Sequence, residues 1–217
     1  NAKVLRELME AANRILEHHP LNEKLRAEGK MPANGVWFWA EGTAVKLPDF
    51  KRETGHDGVV VSAVPLCHGI AALTGLSFVC PEGATGEKDT NYENKLAAAL
   101  KILEDHDFAA VHVEAPDECT HNGDLEGKLE AIGWLDTRLI RPLDAAMRER
   151  GWDYRLLFLS DHKTLTSTRG HDGDPVPYML YDSRVDTKAG LPYTEKSGEK
   201  GPYVNSGVSL MSILFEK

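Results

Sequence analysis

Apolar residues along this chain follow two spacings, one typical of helices and one typical of short buried strands. In residues 4–17 they recur every three or four positions, and the pattern stops before Pro20, which disfavours a continuing helix. The same spacing predicts further helices at residues 65–76, 91–104, 125–150 and 206–215. Short apolar runs predict strands at residues 36–39, 59–64, 77–80, 108–113, 156–159 and 177–181. The polar, basic stretch 21–34 is predicted to be a connector.

The regular alternation of helices with short apolar strands predicts the fold class. It favours an α/β fold with a largely parallel sheet and helices on both faces, because parallel strands are joined by helical crossovers. No internal repeat and no clear linker interrupts the chain. We therefore predict one domain over residues 1–217, in which residues 1–30 are an entry helix and connector.

The composition excludes several classes of protein. The chain has 217 residues, 41% of them hydrophobic, and a net charge of −9 without a basic stripe, which disfavours binding to nucleic acid. A small phosphorylated ligand stays compatible with this charge, because metal ions can reverse the field inside a pocket. No apolar run is long enough for a membrane span, and no secretory signal is visible. Three cysteines without metal-knuckle spacing indicate a reducing compartment, so we expect a cytoplasmic location.

Two short stretches of acids and histidines predict a two-metal site. Asp117 and His121 follow the apolar run 108–113, whereas Asp161, His162 and His171 follow the run 156–159. Binding sites in open α/β sheets gather at the carboxyl ends of strands, where rigid strands hold ligands from distant sequence positions together. Carboxylate oxygens and imidazole nitrogens are metal ligands. Taken singly, each of these residues is also compatible with a surface or capping role.

Other polar residues leave two interpretations open. Cys119 is either a thiolate ligand or an ordinary loop thiol, and Arg26 and Lys30 are either solvated or bind a substrate carboxylate or phosphate. The glycine-rich segment 82–91 does not match the nucleotide P-loop, because its glycines are three positions apart and Glu87 precedes Lys88. We interpret it as a strand-to-helix turn that supports the pocket.

Four ordered motifs carry a resemblance to a known family. They read H-P-L-N-E-K-L-R-A-E-G-K-M-P-A-N, E-G-A-T-G-E-K-D-T-N-Y-E-N-K, H-V-E-A-P-D-E-C-T-H-N-G-D-L-E-G-K, and S-D-H with H-D-G-D-P-V-P. From about Lys3 to its end, the chain resembles the archaeal-type, 2,3-bisphosphoglycerate-independent phosphoglycerate mutases and their bacterial relatives. These enzymes belong to the alkaline phosphatase-like metalloenzymes, so the resemblance implies the C-terminal part of an alkaline phosphatase-like core.

The resemblance also implies roles for the candidate ligands. It implies that Asp117, His121 and His171 hold one divalent ion, and that Asp161 and His162 contribute to a second. The implied reaction is the glycolytic interconversion of 2- and 3-phosphoglycerate through a phosphoserine, without 2,3-bisphosphoglycerate. The mixed donors suit manganese or zinc better than magnesium. The implied partner is a small phosphorylated substrate, with no nucleic acid and no membrane, and the oligomeric state stays open.

Two features of this family have no counterpart in the matched region. An early aspartate ligand and the serine nucleophile both precede it, and we expect the nucleophile upstream of Asn1. Neither Ser62 nor Ser160 has the nucleophile's context, so we predict no catalytic residue within residues 1–217. We therefore interpret the chain as the C-terminal portion of a longer enzyme, entered through a helix that would follow the family's inserted domain.

This interpretation limits what the isolated chain can do. We expect it to be inactive and to bind at most one ion well, because the second site would lack its remaining ligands. The metal motifs also fit a homoserine kinase-like phosphotransferase, a phosphopentomutase, or a noncatalytic module that keeps the fold.

Overall fold

A computed structural model describes residues 2–39, 42–185 and 190–216. Asn1 lies outside the described residues. The chain divides into two compact units, residues 1–46 and 47–217. Among the described residues, no helix is both long and apolar enough to cross a membrane.

The first unit contains two helices where the sequence predicted one. Helix α1 (Ala2–Glu17) is confirmed, and α2 (Pro20–Ala27) occupies part of the predicted connector. Pro20 ends the first helix and also begins the second, because its fixed φ suits a first helical position. His19 caps α2 by accepting a hydrogen bond from the Leu21 amide, so the His-His-Pro sequence is a helix boundary.

The strand predicted at residues 36–39 is wrong. Within the described ranges these residues pair with no strand, and Trp37 and Trp39 are 76% and 79% exposed. An apolar run forms a strand only where a neighbouring strand supplies backbone hydrogen bonds. The run therefore indicated hydrophobicity correctly and secondary structure wrongly.

The second unit holds the sheet that the sequence predicted. The strands of the second unit form three sheets. They are β1 (Gly58–Val61), β2 (Ser77–Val79), β3 (Phe108–Val111), β4 (Arg155–Leu159), β5 (Lys163–Leu165), β6 (Gly170–Asp172) and β7 (Tyr178–Asp182). β1 lies between β2 and β3 and is parallel to both. The predicted parallel α/β sheet is thus confirmed for these three strands. By contrast, β4 pairs antiparallel with β7, and β5 with β6.

Helices connect these strands and cover their apolar side chains. They are α3 (Phe50–Thr54), α4 (Pro65–Thr74), α5 (Tyr92–Ile102), α6 (Ala115–His121), α7 (Leu125–Trp134), α8 (Arg141–Glu149), α9 (Glu195–Gly198) and α10 (Ser209–Phe215). Val59 and Val61 of β1 pack against Ile102 of α5 in the buried core. This packing anchors β1 and β3, and so fixes where their carboxyl ends open toward solvent.

The long helix predicted from residue 125 contains a π-helical turn, Leu135–Ile140, between α7 and α8. Pro142 follows this turn at the start of α8. Proline has no amide hydrogen and clashes with the carbonyl four residues earlier, so an α-helical path through this point would be strained. The wider turn relieves this clash while the helix continues.

Candidate metal centre

The ends of two strands deliver the candidate ligands. After β3 the chain passes through residues 112–114 into α6, where Asp117 and His121 are one helical turn apart. Side chains four residues apart lie on the same helix face. After β4 the chain forms the β5–β6 hairpin, in which His171 lies opposite Thr164. The structure thus brings ligands from two strand ends together, as the spacing predicted.

Asp117, His121 and His171 form a compact triangle of donor atoms. The Nε2 atoms of His121 and His171 are 3.0 Å apart. Oδ2 of Asp117 is 3.2 Å from His121 Nε2, and Oδ1 is 3.4 Å from His171 Nε2. Within the described chain, this is the one group of three acid, histidine or cysteine ligands close enough to share an ion.

The size of this triangle fits a divalent ion. Bonds of about 2.0–2.2 Å from zinc to nitrogen and oxygen separate neighbouring donors by roughly 3–3.5 Å at tetrahedral or octahedral angles. The three observed separations, 3.0, 3.2 and 3.4 Å, fall in this range. The Nε2 atoms of His121 and His171 face each other, so one cation could accept a lone pair from each of them. The donor set therefore fits the metal that the sequence predicts.

A backbone carbonyl fixes the tautomer of His121. Its Nδ1 lies 2.7 Å from the Arg169 carbonyl oxygen, which can only accept, so Nδ1 carries the proton and Nε2 keeps its lone pair. Arg169 has φ of 55°, the one positive value among the described non-glycine residues. Strain of this kind persists where the surroundings enforce it, often at functional sites. Here it directs the carbonyl at His121, a candidate ligand.

Two further contacts support the triangle. The Thr164 hydroxyl donates to Oδ1 of Asp117, which orients the carboxylate. The guanidinium of Arg169 lies against Gly123, where a Cβ would come within 2.5 Å of it, and Gly123 itself has φ of 74°. The sequence did not reveal these contacts, because no spacing links residues nearly fifty positions apart. The supporting residues Thr164, Arg169 and Gly123 were therefore missed.

His162 and Asp161 lie beside the triangle. The His162 ring lies against His171, with ring centroids 3.7 Å apart and the planes tilted by 31°, and its Nε2 is 3.2 Å from Asp161 Oδ2. Asp161 is 79% exposed and also accepts from the backbone amide of His162. The structure therefore groups all five predicted ligands at one place, with three of them converging and two adjacent.

The other candidate residues have structural contacts of their own. Arg26 donates to the Glu17 carbonyl, and Lys30 pairs with Glu28, each at an exposed position. Cys119 is buried on α6, and burial raises the pKa of its thiol, which favours the ordinary thiol over a thiolate ligand. The glycine-rich segment 82–91 is a turn, as interpreted, and Gly86 lies against the Glu114 carboxylate.

Negative charge accumulates around the triangle. Burial, together with Glu118 and Asp117, raises the pKa of the Glu114 carboxyl. Acids that gather this closely are stabilised by a bound cation. A centre of this kind can hold a divalent ion and, through it, an anionic oxygen.

Comparison with known proteins identifies the family. The family model described as "Metalloenzyme superfamily" matches residues 2–215. The chain belongs to the Metalloenzyme superfamily. This membership agrees with the donor triangle, and both support the alkaline phosphatase-like core that the sequence implied.

Several members of the Metalloenzyme superfamily are similar to this chain. It is 41% identical over its whole length to the "Probable 2,3-bisphosphoglycerate-independent phosphoglycerate mutase" of Geobacter sulfurreducens, and covers 54% of it. It is 40% identical to the 2,3-bisphosphoglycerate-independent phosphoglycerate mutase of Methanosarcina acetivorans, over 89% of this chain and 49% of that one. The chain thus spans about half the length of the curated relatives it matches.

Two solved structures are similar to this chain in fold. The PH0037 protein from Pyrococcus horikoshii matches 100% of this chain and 58% of its own, with a TM-score of 0.75 and 30% identity. The cofactor-independent phosphoglycerate mutase from Thermoplasma acidophilum matches 98% of this chain and 50% of its own, with a TM-score of 0.56 and 22% identity. The second likeness concerns the fold alone.

Proposed function

We propose that this chain carries a metal centre of a cofactor-independent phosphoglycerate mutase, which interconverts 2- and 3-phosphoglycerate through a phosphoserine. The observation that carries this proposal is the triangle of Asp117, His121 and His171, whose donor atoms are 3.0–3.4 Å apart. The relatives named phosphoglycerate mutase support the substrate class. No feature of the described residues favours a homoserine kinase, a phosphopentomutase or a noncatalytic module over this reaction.

In this proposal each ligand has a defined task. Asp117, His121 and His171 hold one divalent ion, and Asp161 with His162 contribute to a second. The ions are manganese or zinc, since three imidazoles disfavour magnesium. Such ions supply positive charge that stabilises phosphoryl oxygens and lowers the pKa of a bound hydroxyl. The hydroxyl of Thr164 and the carbonyl of Arg169 keep Asp117 and His121 in the orientation that binding requires.

Other polar residues of the chain have proposed roles in substrate binding or in structure, and none of them is proposed to react. Arg26 and Lys30 are proposed to bind the carboxylate or phosphate of the substrate, since both are exposed and carry N–H groups beyond their present contacts. Ser62 is not proposed as the nucleophile. Ser62 is fully buried, and its hydroxyl contacts the Val64 amide and the His112 ring.

Ligand substitutions in the complete product of the encoding gene test this proposal. We expect Asp117→Asn and His121→Gln to weaken metal affinity by about a thousandfold and to lower mutase activity accordingly at limiting metal, because each ligand supplies roughly a third of a strong binding energy. The matched control is His106→Gln, since His106 precedes β3 and so lies at the opposite end of that strand.

The control should keep activity within about twofold of wild type, the range expected of a surface substitution. Turnover of phosphoglycerate by both ligand variants at the wild-type rate would overturn the proposal. So would a wild-type product that binds manganese but transfers no phosphoryl group between the hydroxyls of phosphoglycerate.

A further inference from the structure

Ser62 and His112 lie side by side where β1 and β3 end. The sheet's hydrogen bonds continue into them, because the Ser62 amide donates to the Val79 carbonyl and the His112 amide donates to the Val61 carbonyl. The Ser62 hydroxyl oxygen is 3.1 Å from Nδ1 of His112. The same strand end leads three residues later into α6 and its ligands. His112 is thus joined by backbone hydrogen bonds to the parallel sheet.

The hydrogen bonds of Ser62 determine the tautomer of His112. Ser62 is fully buried, and its oxygen already accepts from the Val64 amide at 3.0 Å. Its hydroxyl proton needs an acceptor, and the described residues offer one, Nδ1 of His112. The imidazole is therefore neutral, with its proton on Nε2.

Lys95 supports the same arrangement through the backbone carbonyl of His112. It is 1% exposed, and its ammonium donates to the His112 carbonyl at 2.9 Å. Burial and the nearby Lys95 both lower the pKa of His112, which favours the neutral ring. Two fully buried polar side chains thus hold one half-buried histidine. Burying polar groups costs free energy, so this arrangement is unusual for a residue without a function.

Nε2 of His112 is available to a ligand. In the part of the chain that the structure describes, no group forms a hydrogen bond with this nitrogen. Among the described residues, the Tyr92 hydroxyl alone is a fully buried side-chain polar atom without a hydrogen-bond partner, so Nε2 of His112 keeps some exposure to solvent. His112 precedes α6 by three residues, so the same strand end that carries its ring leads directly to Asp117 and His121 of the metal centre.

We propose that His112 is a ligand-binding residue of this centre, whose Nε2–H donates a hydrogen bond to an anionic oxygen of the phosphorylated ligand. Ser62 and Lys95 are the positioning residues that hold its tautomer and its ring. The inference rests on the proposed function and names one contact within it. A neutral donor suits this position, because it binds a phosphate or carboxylate oxygen without competing with the histidine ligands for the ion.

Two substitutions at position 112 separate the two ring nitrogens. Asparagine places an amide near the position of Nδ1 and leaves the position of Nε2 empty, whereas glutamine reaches the position of Nε2. The probes are inorganic phosphate and 3-phosphoglycerate, titrated by calorimetry into the manganese-saturated chain.

We expect His112→Asn to weaken phosphate binding about tenfold, the usual effect of losing a hydrogen bond to a charged group, and His112→Gln to weaken it less than about threefold. Equal phosphate affinity of His112→Asn and wild type would overturn the inference. Failure of the manganese-saturated wild type to bind either probe would also overturn it.

Nuclear magnetic resonance of the ¹⁵N-histidine-labelled chain gives a second readout that does not depend on activity. We expect His112 to be protonated on Nε2 in wild type, and the fraction of this tautomer to fall toward that of free histidine in Ser62→Ala. A wild-type spectrum with the proton on Nδ1 would contradict the inference even if His112→Asn does not fold.

Failure of the proposed function gives a different pattern. In that case phosphate binding depends on His112, but the complete gene product does not interconvert the phosphoglycerates. Conversely, full mutase activity in His112→Asn, with KM and kcat unchanged, would remove the inference and leave the proposed function intact.

Discussion

Replacing Thr164 with valine removes the hydrogen bond that orients the central carboxylate while keeping the shape of the side chain. The Thr164 hydroxyl donates to Asp117 Oδ1 and also lies 3.3 Å from Nδ1 of His162. In the valine variant a methyl group faces the carboxylate instead. We expect the affinity for zinc to fall, because Asp117 would then rotate away from the two imidazoles more easily.

The magnitude follows from the burial of Asp117. A hydrogen bond to a charged group contributes about 1.5–3 kcal/mol. The Asp117 side chain is 23% exposed, so water can replace part of the lost bond. We therefore expect a loss of about 1–2 kcal/mol, which corresponds to roughly a tenfold weaker zinc affinity. This value lies at the lower end of the about 10–100-fold effects seen for residues that orient metal ligands.

Competition between the chain and a chromophoric chelator measures this zinc affinity, and urea unfolding without metal measures stability. Thr164→Ser keeps the hydroxyl and should bind zinc within about threefold of wild type. Thr137→Val removes an exposed hydroxyl that donates within a helix, and is the control for the exchange itself. The reasoning is refuted if Thr164→Val binds zinc as tightly as wild type, or if Thr164→Ser is as weak as Thr164→Val.

Three further predictions concern stability. Gly123→Ala should lower the free energy of unfolding by about 2–3 kcal/mol, because it adds a close contact with Arg169 to the cost of a positive φ. Gly151 also has a positive φ, 67°, but a Cβ there would meet no neighbour, so Gly151→Ala should lower the free energy of unfolding by only about 1 kcal/mol. Burial raises the pKa of Tyr92 to about 12, and its buried hydroxyl has no partner among the described groups. Tyr92→Phe should therefore leave urea stability unchanged or raise it by up to about 1 kcal/mol, and a loss above that would reveal a hidden partner. The hydrogen bond from His106 lowers the pKa of Asp57 below 3.8, so its contribution is present above pH 3.8 and is lost as the pH falls through the lowered value. The melting temperatures of wild type and His106→Ala should thus differ at pH 5, approach each other as the pH falls below 3.8, and meet below the lowered pKa of Asp57, whereas a constant difference across this range would contradict the assignment.

The sequence predicted most of the fold where burial and periodicity agree. The run at residues 108–113 became β3 because a parallel neighbour, β1, pairs with it and α5 covers it. The similar run at residues 36–39 failed because no described strand pairs with it. Hydrophobicity is a local property that can be read from the chain, but pairing depends on residues far away in the sequence.

The candidate site divides in the same way. Asp117 and His121 were predictable, since a four-residue spacing places two ligands on one helix face. Thr164 was not predictable, because its hairpin is too short to show an alternating pattern. Arg169 was not predictable, because it takes a left-handed conformation where glycine would be expected. His112 had a visible signal, since it directly follows the same apolar strand as Asp117. The rule that ligands gather at strand ends applied to it equally.

Diffraction at the zinc absorption edge, from crystals of the chain grown with zinc, tests the central claim most directly. We predict an anomalous peak within about 2.0–2.2 Å of the Asp117 carboxylate and of Nε2 of both His121 and His171. A zinc peak at any other site with none inside this triangle, or a triangle without zinc at saturating concentration, would contradict the account.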